Sequence, residues 1–242
     1  MTRGKIKNFF PGSNTSVGFY SFYQYLPYGT DNVFIIKGGP GTGKSTTMKR
    51  IAQAALKKEF EIEYHWCSSD NDSLDGIVIP EKGIAVFDGT APHMNDPVYP
   101  GAVENILNAG EFWNKNQLKK NKNDIVKITK EISYKFKRCY RYLSIAKVLH
   151  DELEYYYQEG FDTAKANKIT DDLIKKIIPH RSDITTEGPE RHLFASAITP
   201  EGAVNYLDNL SEDCEKRYII KGKPGTGKST LTKKVGNKAL IF

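Results

Sequence analysis

Two stretches of this chain carry the residues of a phosphate-binding loop: "GGPGTGKS" at 38–45 and "GKPGTGKS" at 222–229. Each has two glycines separated by four residues, then lysine and serine. Glycines at these positions let the backbone wrap closely and turn its N–H groups inward toward phosphate oxygens. A helix starting there adds its positive end. Lys44 is expected to reach the β- and γ-phosphates, Ser45 to offer its hydroxyl to Mg2+, and Thr46 to support the α-phosphate side. The expected nucleotide-binding residues are Gly39, Pro40, Gly41, Thr42, Gly43, Lys44, Ser45 and Thr46. Their counterparts are Gly225, Thr226, Gly227, Lys228, Ser229 and Thr230.

Asp88 ends the apolar run "GIAVF". An aspartate there can hold Mg2+ through a water, as in other phosphate-loop enzymes. Lys44 and Asp88 are therefore the expected catalytic pair, and Ser45 and Asp88 the expected metal-binding pair. Gly89 follows Asp88, where motor-type ATPases place a glutamate to polarise water. His93, or an acid from another loop, is left as a substitute. The stretch "SSDNDSLDG" (68–76) offers Asp70, Asp72 and Asp75 either to a substrate or metal or to an Asx-type turn. His65, Cys67 and His93 fit no standard metal spacing. "NKND" (121–124) matches a guanine-reading pattern but follows no apolar strand, so adenine is the expected base.

The elements that must position these residues read as follows. "DNVFIIK" (31–37) is a buried strand. Residues 43–58 carry Met48, Ile51, Ala55 and Leu56 at helical spacing. "EIEYHWC" (61–67) and "GIAVF" (83–87) are further strands. This order predicts an α/β fold with a parallel sheet, and loops 38–45, 68–76 and 88–93 converging at its C-terminal edge. From about 101 to 180 the pattern turns helical. "PGAVENILNAGEFW" is read as a helix after Pro100. A long amphipathic helix from Asp124 carries Ile125, Ile128, Ile132, Phe136, Cys139, Leu143 and Ala146, continues through Leu149 and Leu153, and stops at Gly160. A shorter helix covers roughly 162–178. The tyrosines at 134, 140, 142, 155, 156 and 157 are read as packing between paired helices. The polar segment 181–192 reads as a linker.

The second loop belongs to a longer repeat. "FIIKGGPGTGKSTTMKRI" (34–51) aligns with "YIIKGKPGTGKSTLTKKV" (218–235) at an offset of 184 residues, and 8–26 aligns with 192–210 at the same offset. Thr199-Pro200 predicts that each copy opens with a helix. The expected organisation is a phosphate-loop NTPase domain over 1–180 with a helical insertion at about 101–180, a linker at 181–192, and a partial second unit over 193–242. The position 184 residues beyond Asp88 lies past residue 242, so the chain reads as a truncated form of a longer two-domain protein.

The run "VFIIKGGPGTGKST…EYHWCSSDNDSLDGIVIPEKGIAVFDGTAPH" resembles an uncharacterised family of tandem phosphate-loop ATPases, or nucleotide kinases by motif, from spore-forming Gram-positive bacteria. In that family "CSSDNDSLDG" and "DGTAPH" recur, and two such halves share one chain. The resemblance implies ATP binding and names no substrate.

Composition narrows the field further. The chain has 242 residues and a formal charge of +6. It has no membrane-length apolar run and no secretion signal, so the cytoplasm is expected. Cys67, Cys139 and Cys214 form no CxxC pair, which argues against a disulfide framework and structural zinc. Residues 115–142 hold ten Lys/Arg against two acids. A solvated helix face accounts for that run, so nucleic acid is not the expected partner, though the run leaves it open. The expected activity is Mg2+-dependent ATP hydrolysis at the first loop. The alternative is an ATP-dependent kinase of a nucleotide or other small molecule, with the helical insertion as its lid and Arg138 and Arg141 closing on the phosphates. The expected partners are a nucleotide and a small-molecule phosphate acceptor, without a membrane and with self-association left open.

Overall fold

The computed structural model describes residues 4–90, 97–177 and 190–236. Its strands are β1 (Ile6–Phe9), β2 (Gly12–Thr15), β3 (Gly18–Ser21), β4 (Asn32–Lys37), β5 (Ile62–Trp66), β6 (Leu74–Ile79), β7 (Ile84–Asp88), β8 (Glu104–Asn108), β9 (Ser196–Thr199) and β10 (Gly202–Asn205). Its helices are α1 (Lys44–Leu56), α2 (Lys115–Lys120), α3 (Lys122–Glu159), α4 (Thr163–Ile177), α5 (Leu207–Leu210) and α6 (Lys228–Gly236). The chain divides into two compact units. One comprises Met1–Tyr142 with Arg191–Cys214, and the other Leu143–Glu190 with Glu215–Phe242.

The first unit is built on a six-stranded sheet of order β1-β5-β6-β7-β4-β8. Five strands run the same way. β6 runs against both neighbours, β5 and β7. The sheet is thus mixed α/β and mostly parallel, not wholly parallel as the sequence predicts. The six residues of β6 are all buried. A strand buried on both faces has no alternation to mark it, and its first residues lie inside the polar run read as one loop.

Alternation along the other central strands sorts the core. Ile36, Val86, Ile77 and Ile79 face α1, where they meet Met48, Ala52, Ala55 and Leu56. Val33, Ile35, Val78, Ala85 and Phe87 face the opposite side, covered by Tyr23 and Leu26 with Phe19 against them. The period of two along a strand places successive residues on opposite faces.

Two helix expectations are corrected. "PGAVENILNAGEFW" forms β8, parallel to β4, and then a 3-10 turn at Ala109–Phe112. Val103, Ile106 and Leu107 are spaced three and one apart, which mimics a helix. On an edge strand both faces are partly open, so alternation is lost and the free edge of β4 decides. Nor does either copy open with a helix. Residues 12–21 and 196–205 are antiparallel hairpins with two-residue turns. Thr199 does not cap a helix. Its hydroxyl donates to the Gly202 carbonyl at 2.9 Å and accepts from the Glu201 N–H at 3.2 Å. Thr15 makes the same two bonds with Gly18 and Val17, at 2.7 and 3.2 Å. Gly18 and Gly202 both sit at φ +105°, a region that excludes other residues. Thr-Pro suits a turn as well as a helix start, because a φ near −65° serves both.

The two hairpins lie together. Phe10 and Phe194, positions 184 apart, exchange backbone hydrogen bonds of 2.9 and 3.0 Å. The Asn14 amide donates to the Ile198 carbonyl at 2.9 Å, again 184 apart, and to the Ser68 carbonyl at 3.2 Å.

Arg191 braces the first unit. Its guanidinium donates two bonds of 2.8 and 2.7 Å to the Glu63 carboxylate and one of 3.1 Å to the Tyr25 carbonyl. Burial pushes Glu63 up, but the bonds from Arg191 and His65 outweigh it and hold the carboxyl at about 2. Burial also lowers the basicity of His65, so its neutral ring donates to Glu63 at 3.2 Å.

Of the long helices, α3 ends at Glu159, just before the predicted stop at Gly160, and α4 covers the shorter predicted helix. No residue of α3 is buried, and Tyr134, Tyr142, Tyr155 and Tyr156 are exposed. Packing between paired helices therefore does not cover these rings among the described residues. Tyr140 is held differently, its hydroxyl donating to Asn14 Oδ1 at 3.1 Å. No helix among the described residues is long and apolar enough to cross a membrane.

Candidate functional site

β4 delivers the chain to the C-terminal edge of the sheet, where loops from parallel strands collect. Gly41 and Gly43 then take φ of +77° and +81°, which winds residues 38–43 into a tight loop and aims it at the start of α1. A side chain built on either glycine would meet nothing within 4 Å, so that side of the loop is open. Thr42 closes the turn, donating to the Gly39 carbonyl at 2.9 Å.

The Lys44 ammonium donates to the Gly38 and Gly39 carbonyls at 2.8 and 2.9 Å and stands 3.5 Å from Asp88 Oδ2. Asp88 is brought there by β7, which pairs directly with β4 and puts Asp88 opposite Ile36. Its other oxygen accepts the Thr90 N–H at 2.8 Å. Thr90 in turn binds both polar groups of Gly38, accepting its N–H at 3.2 Å and donating to its carbonyl at 2.6 Å. Gly89 has no alternative: a Cβ there would lie 2.2 Å from Ile35 Cγ2. The packing of β4 thus excludes a glutamate after Asp88.

The third loop arrives from the β5–β6 hairpin. The Leu74 N–H donates to Ser45 Oγ at 3.0 Å, and Lys49 donates to the Asp72 carbonyl. Asp70 is used locally: its carboxylate accepts the Ser73 hydroxyl at 2.6 Å and its carbonyl accepts the Ser73 N–H at 3.0 Å, a backbone turn rather than an Asx-type turn. Asp75 is not in the loop. It lies buried in β6 and accepts the Tyr23 hydroxyl. Cys67 is buried, which pushes its thiol up to about 12. His93 lies outside the described residues.

A fourth segment was not legible in the sequence. The turn after β8 packs on the start of the loop: Ala109 lies 3.0 Å from where a Gly38 Cβ would be, and the Trp113 ring 3.3 Å from that of Gly39. Asn108 caps this turn, accepting the Gly110 N–H at 3.0 Å. Its only sequence signal is an Asn-x-Gly beside an apolar run. By contrast "NKND" lies at the junction of α2 and α3, exposed, and at no strand end.

The second loop repeats the local geometry. Gly225 and Gly227 have φ of +74° and +78°. Thr226 and Lys228 donate to the Lys223 carbonyl at 2.7 and 2.6 Å, matching Thr42 and Lys44 on Gly39. Ser229 and Thr230 enter α6 as Ser45 and Thr46 enter α1. The strand before it does not form: residues 215–223 carry no strand. The loop is also covered. A Cβ on Gly225 would lie 2.6 Å from the Glu154 carbonyl, and one on Gly227 2.9 Å from the Phe161 ring.

Elsewhere, His150, Asp151 and Glu154 bring ligand atoms within 4.8 Å of one another on α3. Asp151 is already held by Lys147 at 2.6 Å, and Glu154 packs on the second loop at Gly225. No protein-family model, curated protein or solved structure matches the chain.

Proposed function

We propose that the first loop binds the phosphates of ATP with Mg2+ and turns the nucleotide over slowly by hydrolysis. One observation carries this reading: a left-handed glycine loop opens directly into α1 with Lys44 held between two loop carbonyls and Asp88. The donor set fits. Loop N–H groups and the start of α1 suit an anion, while the Ser45 hydroxyl and the Asp88 carboxylate are the hard oxygen donors that Mg2+ takes. Bound Mg2+ would neutralise charge on the β- and γ-phosphates. Lys44 would exchange its loop carbonyls for phosphate oxygens, and Ser45 keeps its own proton and one lone pair after accepting from Leu74. Thr90 fixes Asp88 and Gly38 relative to each other, so the metal side and the phosphate side keep their spacing. With Gly89 packed on Ile35, no side chain adjoining Asp88 can activate water, which is why slow turnover is inferred.

The repeated hairpin and loop geometry supports reading residues 193–242 as a partial second copy, with its hairpin inside the first compact unit and its loop inside the other. Purified protein with Mg-ATP should release phosphate, and Lys44→Ala should not. Phosphate transfer that depends on an added small-molecule acceptor would identify a kinase instead. No Lys44-dependent binding or turnover would overturn the reading.

A further inference from the structure

We propose that Trp113 is a nucleobase-stacking residue that receives the purine of a nucleoside triphosphate seated in loop 38–45. The proposal rests on the triphosphate reading above and adds the part of the ligand that reading leaves open.

The sheet supplies the direction. β4 has one neighbour on each side. β7 brings Asp88 to 3.5 Å from Lys44, so the metal and the terminal phosphate belong on that flank. A triphosphate anchored there runs away from β7, and the strand on the other flank is β8. The chain leaving β8 does not drift into solvent. Asn108 ties the turn at Gly110, Ala109 seats on Gly38, and the indole lies across Gly39, where the missing Cβ leaves it room.

The indole itself is uncommitted. Trp66, the other tryptophan, donates its N–H to Asn8 at 2.8 Å and meets Tyr64 edge-on. Trp113 is 42% exposed, and its indole, packed on Gly39 and Gly110, has neither a hydrogen bond nor a ring partner among the described residues. An indole fixed beside a phosphate loop and left partly open offers a π-face at the reach of a base. Stacking reads ring area rather than hydrogen-bonding edges. With no guanine-reading pattern at the site, adenine and guanine nucleotides should both be accepted.

The test compares ATP, GTP and inorganic tripolyphosphate by calorimetry on the intact chain and its Lys44→Ala, Trp113→Ala and Trp113→Phe variants. The expected result is that ATP and GTP bind more tightly than tripolyphosphate. Trp113→Ala should remove that excess, about tenfold, Trp113→Phe should keep most of it, and tripolyphosphate affinity should not change. In a Trp66→Phe background, the remaining emission should respond to ATP and not to tripolyphosphate. An unchanged nucleotide excess in a folded Trp113→Ala variant overturns the stacking role and leaves the triphosphate site standing. Absence of Lys44-dependent tripolyphosphate binding overturns both.

Discussion

Nearly the same thirteen residues occur twice in this chain with different outcomes. In "FIIKGGPGTGKST" the isoleucines lie inside a six-stranded sheet; in "YIIKGKPGTGKST" they lie in no sheet at all. Ile35 is 1% exposed and Ile219, its counterpart, is 78% exposed. Yet the two loops that follow agree within a few degrees at their glycines and repeat the same hydrogen bonds. Loop shape is a local property, set by glycines that alone tolerate positive φ and by a threonine and a lysine that bond back three to five residues. A strand is not local. Its backbone groups and its alternate side chains need neighbours that only distant segments supply.

The difference bears on the proposed function. The first loop is open, and β7 brings it Asp88. The second is covered by Glu154 and Phe161, and no aspartate is brought to it among the described residues. The largest effect should therefore separate the two lysines. Lys44→Ala should lower ATP turnover at least about 100-fold, whereas Lys228→Ala should stay within about twofold, both read as phosphate release. Comparable losses in the two variants would break the comparison.

The paired isoleucines test the same contrast through stability. Ile35→Ala should cost about 3 kcal/mol in denaturant unfolding, and Ile219→Ala under about 0.5 kcal/mol. A large loss at Ile219 would mean that this residue is buried in solution.

Arg191 should rank close behind. Removing it leaves the mostly buried Glu63 carboxylate without its strongest partner, at a cost of about 2–3 kcal/mol, near the low end for a broken buried pair because the arginine is partly exposed. The pH dependence has a definite sign. The folded Glu63 is held at about 2 against an ordinary value near 4.5. Its contribution is therefore complete above about 4.5 and is lost as pH falls toward 2. Melting temperatures of the wild type should fall through that window. Glu63→Gln should flatten the slope.

The smallest effect concerns the loops themselves. Gly41→Ala and Gly225→Ala each force a left-handed residue, at about 1 kcal/mol. The second also meets the Glu154 carbonyl, so Gly225→Ala should destabilise its unit more than Gly41→Ala destabilises the first. Separate melting of the two units by hydrogen exchange would show it. Equal effects would mean that the second loop is open in solution.

Several features were legible in the sequence because they are short-range. The glycine loop, α1, β4, β5, β7 and the placement of Asp88 at a strand end all follow from motif and period. So does the offset of 184 that the hairpins later honour. What misled was a short-range signal that two structures share. Thr199-Pro200 serves turn and helix alike, and Val103, Ile106 and Leu107 imitate a helix while forming an edge strand. Arg191 sat in a polar stretch with nothing to mark it as the partner of Glu63, 128 residues away. Trp113 carried no motif, and Thr90 lay within "DGTAPH" with no role of its own to read.

The sequence by itself determined the loops: glycines, threonine and lysine at fixed spacing set backbone shape through bonds that span a few residues. Only the tertiary structure decided which copy was given partners from distant strands. Pairing of β4 between β7 and β8 set Asp88, Thr90 and Trp113 around one loop, because long-range strand pairing is what brings residues 38, 88 and 113 to the same edge.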